Sequence, residues 1–137
     1  MNEDLLKNQE FVKKKNKFLS AMKSGREIKI DELITDNELM ADKETVLCML
    51  QTQGGDLLKH VSANLKDDEQ VVFQACTNEG VNPAMNDATP FEHASERIKS
   101  SDQFMSKLKK YWLAFGRNDQ AGLIQRYSLQ RKNNLAS

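Results

Sequence analysis

Two stretches of this chain can be laid over one another without a gap. DKETVLCMLQTQG, from Asp42 to Gly54, and DEQVVFQACTNEG, from Asp68 to Gly80, each run from an acidic start through an apolar segment to a glycine 12 positions later. NKFLSAMKSG, from Asn16 to Gly25, has the same closing half, with Phe18 and Leu19 where Leu47 and Cys48, or Phe73 and Gln74, stand. A second element recurs at an offset of 33, with HVSANLKDDEQVV from His60 above HASERIKSSDQFM from His93. The pairs His60/His93, Val61/Ala94, Ser62/Ser95, Leu65/Ile98, Lys66/Lys99, Gln70/Gln103 and Val71/Phe104 match, and DNELMAD, from Asp36 to Asp42, fits the same slot one unit earlier. A chain that repeats at this period cannot bury the apolar face of one unit alone. It must stack units side by side.

The repeated pattern predicts a long helix of three turns, a glycine stop, a short helix, and a charged turn into the next long helix. Gly25, Gly54 and Gly80 suit the left-handed residue just past a helix C-terminus. Asp42, Asp68 and Ser101 or Asp102 suit N-caps or first-turn acids. Val46, Leu47, Met49 and Leu50, and likewise Val71, Val72, Ala75 and Cys76, have the spacing of a buried helical face. An insertion after Gly80, VNPAMNDATP, widens the unit spacing from 26 to 33 and is the one clear loop. It closes on Thr89-Pro90-Phe91-Glu92, which reads as an N-cap, a first-turn proline and a capping-box Glu.

The ends differ from the middle. Residues 3–23 predict a basic amphipathic helix with Leu5, Leu6, Phe11, Val12, Phe18, Leu19 and Met22 as its apolar members. Residues 102–115 predict another, with Phe104, Met105, Leu108, Trp112 and Phe115. Gly116 closes it, and Asp119 can cap a last helix whose face is Leu123, Ile124, Tyr127 and Leu129. The expected architecture is a single all-α domain over 1–137: an N-terminal capping helix (1–26), repeat units (27–108) and basic C-terminal helices (109–137). Seven or eight helices are expected in all.

Net charge is zero, yet the charge is polarised. Residues 1–26 carry seven Lys/Arg against three Asp/Glu, residues 27–102 six against sixteen, and residues 103–137 seven against one. An acidic middle between basic ends implies either attraction between layers or two separate charged surfaces. No apolar run approaches the ~20 residues that span a bilayer, and MNEDLLKNQEFVKKK lacks the apolar core of a Sec signal. The expected location is cytoplasmic, or a host cell reached by a non-Sec route. Cys48 and Cys76, the only cysteines, sit in helical patterns and read as reduced core thiols.

The phrase D-x-E-x-V-L-x-x-L-x-x-x-G-x-x-L-x-x-V-S-x-x-L-K-D-D-x-x-V-V resembles the helical-repeat family known as domain of unknown function 4116. Asp42, Val46, Gly54, Leu57, Ser62, Leu65, Asp68, Val71 and Val72 carry the likeness, well over residues 42–80 and loosely over 13–25 and 93–108. The resemblance implies a helical array and, as a setting, the effector repertoires of intracellular bacteria. It implies no catalytic residues. The chain departs from the pattern in the 81–92 insertion and in its basic C-terminal third.

Chemistry-bearing constellations are sparse. Cys48, Cys76, His60 and His93 are the only thiols and imidazoles. The thiols fall on apolar faces, and the two histidines share one repeat slot, which points to a structural task. There is no CxxC or HxxxH for zinc and no GxxxxGK[ST] or GxGxxG for phosphate. Enzyme activity, a metal and a cofactor are therefore not expected. The functional expectation is a protein-binding module that binds and regulates a larger protein, in the family setting an inhibitor of another effector. Its contacts would come from Asn82, Met85, Asn86 and Asp87 in the loop and from Trp112, Phe115 and Arg117 near the C-terminus. An acidic face at Asp67, Asp68 and Glu69 is a weaker candidate. Two alternatives stay open: a nucleic-acid binder using the basic, aromatic C-terminal segment, and a homodimerising module built on the amphipathic ends.

Overall fold

A four-residue helix leaves most of its amide and carbonyl groups without an intrahelical partner, so its existence depends on capping and on tertiary packing. The described residues of this chain contain three such helices, and each is started in the same way. In a computed structural model that describes residues 3–77 and 88–136, the fold is all-α. The described residues form nine α-helices and two 3₁₀ segments, with no strand. In order they are α1 (Glu3–Lys23), α2 (Ile30–Ile34), α3 (Asn37–Met40), α4 (Lys43–Gln53), the 3₁₀ segment Gly55–His60, α5 (Ala63–Lys66), α6 (Glu69–Thr77), the 3₁₀ segment Thr89–His93, α7 (Glu96–Lys99), α8 (Asp102–Ala114) and α9 (Asn118–Ala136).

The short helices α3, α5 and α7 begin at Asp36, Ser62 and Ser95, whose side-chain oxygens accept the N–H of Leu39 (3.0 Å), Leu65 (3.4 Å) and Ile98 (3.3 Å). Six residues after each cap stands another. Asp42 accepts from the Thr45 N–H at 3.1 Å, Asp68 from the Gln70 N–H at 2.9 Å, and Ser101 from the Phe104 N–H at 3.1 Å. These second caps start the long helices α4, α6 and α8. The first cap of each unit also ties it to its predecessor. The Ser62 N–H donates to the Met40 carbonyl, and the Ser95 N–H to the Lys66 carbonyl, both at 2.9 Å. Met40 and Lys66 are equivalent, each the last residue of its short helix, so one backbone hydrogen bond recurs at two successive joints. Leu39, Leu65 and Ile98, three places after the caps, are buried.

The long helices form one layer, with α1 packed on α4, α4 on α6, α6 on α8 and α8 on α9; the two 3₁₀ segments meet each other beneath α6. Between the layers lies a continuous core that includes Leu33, Val46, Met49, Leu50, Leu58, Val71, Val72, Phe91, Leu108 and Ile124. Across the first joints the caps double as anion partners. Lys14 pairs with Asp36, Lys15 with Asp42 (3.1 Å) and Glu44 (2.9 Å), and Lys43 with Asp68 (3.0 Å). Part of the basic/acidic polarity of the chain is thus spent internally.

Several expectations need correction. Each unit holds two short segments between long helices, which raises the helix count above eight; the reason is the extra Ser/Asp cap. Gly25 (φ 70°) and Gly116 (φ 71°) take the left-handed conformation, and Arg26 and Arg117 close the helix ends by donating to the Ala21 and Trp112 carbonyls at 2.9 Å. Gly54, at φ 126° and ψ 145°, instead swings the chain into the 3₁₀ segment. Its neighbour Gly55 is the tight point, because a Cβ there would collide with the Ala75 carbonyl. Thr89 is inside its 3₁₀ segment, not its cap; Ala88 precedes it, and its N–H is held by Gln120 Oε1 of α9 at 2.8 Å. Ser101, not Asp102, caps α8. Gly80 and the 81–87 part of the insertion lie outside the described residues.

Two outcomes follow for stability. Gly55→Ala is expected to cost at least about 2 kcal/mol, because backbone must move. Gly122→Ala, in open space on α9, should stabilise by about 0.5–1 kcal/mol; paired urea melts check both. The acid limb supplies the second test. Burial pushes the carboxyls of Asp36, Asp42 and Asp68 up, but hydrogen bonds outweigh it, from Lys14 and the Leu39 N–H, from Thr45 and Lys15, and from Lys43 and the Val71 N–H respectively. All three sit below the usual carboxylate range when folded, so their contribution is full above about pH 4 and is lost as pH falls through the folded values. Asp42→Ser with Asp68→Ser keeps both caps. It should cost under about 1 kcal/mol per site at neutral pH and flatten the acid limb of a pH–melting curve.

Candidate protein-binding surface

α8 presents its apolar residues at 104, 108 and 112, a run of i, i+4 steps with Met105 beside it, and all four are buried. Trp112 is the last member of that run. It is fully buried and stands in the central core. The expectation that Trp112 forms a contact surface is therefore corrected: the helical period places it inward, and the same period was readable from Phe104 and Leu108. Its indole Nε1 has no hydrogen-bond partner among the described residues. Arg117 covers the indole, its guanidinium 5.4 Å from the ring centroid. Arg117 also pairs with Asp119 at 3.1 Å, and its hydrogen bonds hold the Asp119 carboxyl well below the usual range. Arg117 thus covers the core and sets the α8–α9 corner.

Phe115 is different. It caps the C-terminus of α8 just ahead of the left-handed Gly116, and the residue is 52% exposed. Behind it runs a line of half-buried rings. Tyr111 lies 4.9 Å from Phe115, Phe73 of α6 lies 5.6 Å from Tyr111 in an edge-on contact, and the Lys107 ammonium stands 4.6 Å from the Phe73 ring centroid. Phe73 and Tyr111 are supported from below by Phe104 and Trp112. The result is a ridge, Lys107–Phe73–Tyr111–Phe115, held by two packed helices, with exposed Lys110 on the same side of α8. Sequence reasoning singled out Phe115, but it did not place Phe73 or Lys107 beside it. Phe73 fills the repeat slot of Leu47, and both are half-buried, so the slot itself is the signal.

The remaining candidates fall apart spatially or chemically. Asn82, Met85, Asn86 and Asp87 lie outside the described residues. Among the described residues no three His, Cys, Asp or Glu side chains gather as a metal site. Burial pushes the Cys48 thiol up, the reverse of what an activated nucleophile requires, and Cys76 is buried. His60 and His93 each end a 3₁₀ segment two residues before a serine cap, the same place in successive units. Asp67 and Asp68 are engaged at the joints: Asp67 accepts from Ser95 (2.6 Å) and Arg97 (2.8 Å), which hold its carboxyl below the usual range. Among the described residues no helix is long and apolar enough to cross a membrane.

No family model matches this chain, and neither a curated protein nor a solved structure is significantly similar to it.

The two aromatic neighbours should separate cleanly on mutation. Trp112→Ala is expected to cost about 3–5 kcal/mol, as removal of a large core ring does. Phe115→Ala should stay within about 1 kcal/mol. Chemical denaturation of the pair checks this, and equal losses would remove Phe115 from the surface.

Proposed function

We propose that this chain is a non-enzymatic protein-binding module, and that its partner presents an acidic segment bearing an apolar anchor to the Lys107–Phe73–Tyr111–Phe115 ridge. The observation that carries this reading is Phe115: a large aromatic ring left half in solvent at a rigid helix corner, backed by packed rings. Exposed aromatics on a fixed support lose little entropy on binding and dominate interface energetics. Lys107 and Lys110 on the same helix, within residues 103–137, which carry seven basic residues against one acidic, select for a negatively charged partner. A narrower version, in which the module is a small bacterial effector that binds and inhibits or regulates a larger effector enzyme, rests on the sequence resemblance alone.

A displayed peptide library panned on the native chain tests the reading. Enriched sequences should carry Asp or Glu around a Leu, Phe or Trp. Binding should fall at least about tenfold in Phe115→Ser and in Lys107→Glu, the second effect shrinking in high salt. Enrichment of no sequence, or binding equal in both variants, rejects the ridge. Retention of oligonucleotides with a steep salt dependence would favour the nucleic-acid reading instead.

A further inference from the structure

Four side chains that carry hydrogen-bond donors share one side of α8. Gln103, Ser106, Lys107 and Lys110 stand at i, i+3, i+4 and i+7. Together with Asp102, the first residue of the helix, they line one shallow hollow. Lys109, between them in sequence, turns instead to α9 and donates to Gln125 Oε1 at 2.7 Å. On the earlier long helices Lys14, Lys15 and Lys43 are neutralised by the Asp caps of the following unit. Lys107 and Lys110 have no such cap ahead of them. Among the described residues neither is in an ion pair, and the Lys107 ammonium is held over the Phe73 ring. The two neutral donors are equally unengaged. Thr52 and Thr77 turn their hydroxyls back to the carbonyls four residues earlier, at 2.8 and 2.7 Å. Among the described residues the Ser106 hydroxyl and the Gln103 amide have no hydrogen bond.

Two ammoniums, a hydroxyl and an amide around one hollow suit an anion richer in charge and oxygen than a carboxylate. A phosphate monoester carries about −1.5 to −2 charge at neutral pH and three strong acceptor oxygens. A carboxylate offers a single charge and two oxygens. We propose that the segment bound by the ridge is a phosphopeptide, an inference that rests on the ridge being a protein-binding surface. Its phosphoserine or phosphothreonine sits in the Gln103–Ser106–Lys107–Lys110 hollow, and its apolar anchor packs on Tyr111 and Phe115. Lys107 belongs to both parts, since its ammonium borders the hollow and lies 4.6 Å from the Phe73 ring centroid. The lysines attract any anion; Ser106 and Gln103 distinguish phosphate from carboxylate. The helix also sets a register. From the middle of the hollow to the middle of the Tyr111–Phe115 pair is roughly 10 Å at the helical rise. An extended segment at ~3.3 Å per residue covers that distance in about three residues, so phosphate and anchor stand about three positions apart.

Fluorescence anisotropy of the full chain with short labelled peptides tests this. Each probe carries one phosphoserine and one Trp, at separations from one to about six residues, and has a twin with Asp in place of the phosphoserine. The phosphoserine probe should bind at least about tenfold more tightly than its twin, and best at a separation of about three. Ser106→Ala and Gln103→Ala should each lower that phosphoserine-to-Asp ratio, and Lys110→Glu should abolish it. Phe115→Ser should weaken both twins alike. The ratio should also fall below about pH 6, as the phosphate takes up its second proton. All these side chains lie on the outer side of α8 or at its exposed end, so melting midpoints should stay near the native value. Equal binding of the twins, with Phe115→Ser weakening both, overturns the phosphate site and leaves the ridge reading standing. A ratio indifferent to Ser106→Ala and Gln103→Ala overturns it too. So does competition by inorganic phosphate or a single-stranded oligonucleotide as effective as that of the phosphopeptide. Binding of neither twin removes the ridge reading and this inference with it.

Discussion

Helices α3, α5 and α7 have four residues each, far below the length at which a helix is stable in water by itself. Everything else in the fold depends on how they are held. A side-chain cap supplies one acceptor at the N-terminus, a backbone hydrogen bond ties successive units together, and one buried aliphatic residue anchors the turn to the core. Because the second cap always follows six residues after the first, each short helix aims the long helix behind it in the same direction. The layer of long helices is the consequence. The choice of Asp or Ser at the cap is then free for a second use. The early units carry Asp at one or both caps and so gain lysine partners from the preceding helix, while the last unit carries Ser at both, whose neutral hydroxyls cap without an ion pair.

This arrangement divides the surface into settled and unsettled parts. The acidic middle is partly neutralised at the joints, where Asp36, Asp42, Asp67 and Asp68 all have cationic partners. The aromatic residues of the last unit, by contrast, exceed what its core takes in. Trp112, Phe104 and Phe91 fill the interior; Tyr111, Phe73 and Phe115 spread outward from them. The exposed end of that series lies on α8 and the exposed half of α1 on the first helix of the order α1–α4–α6–α8–α9, with α4 and α6 between them.

Much of this was legible beforehand. Apolar spacing and caps point to the all-α class, the long helices and most of their buried faces, because both act locally and leave marks in the sequence. α1 and α8 were bounded to within a residue. The short helices were blurred into one, since their caps Ser62 and Ser95 were visible as matching letters but not as separate starts. Gly54 and Gly55 look alike in sequence; one turns the chain and the other lets it pass the Ala75 carbonyl, a distinction that exists only once α6 is in place.

What the sequence determined by itself is the set of local decisions: where helices start and stop, which faces are apolar, and how charge is distributed along the chain. What only the tertiary structure decided is which apolar and aromatic residues find a neighbour. Trp112 and Phe115 are three positions apart on the same helix and equally suited to a core or an interface by composition. Packing against the neighbouring helices buries the first and leaves the second half exposed. Leu5 and Phe18 belong to one amphipathic pattern, yet only the C-terminal half of α1 has α4 and the short helices to pack against. Periodicity names the side of a helix that seeks cover; the position of the neighbouring elements determines whether cover is there.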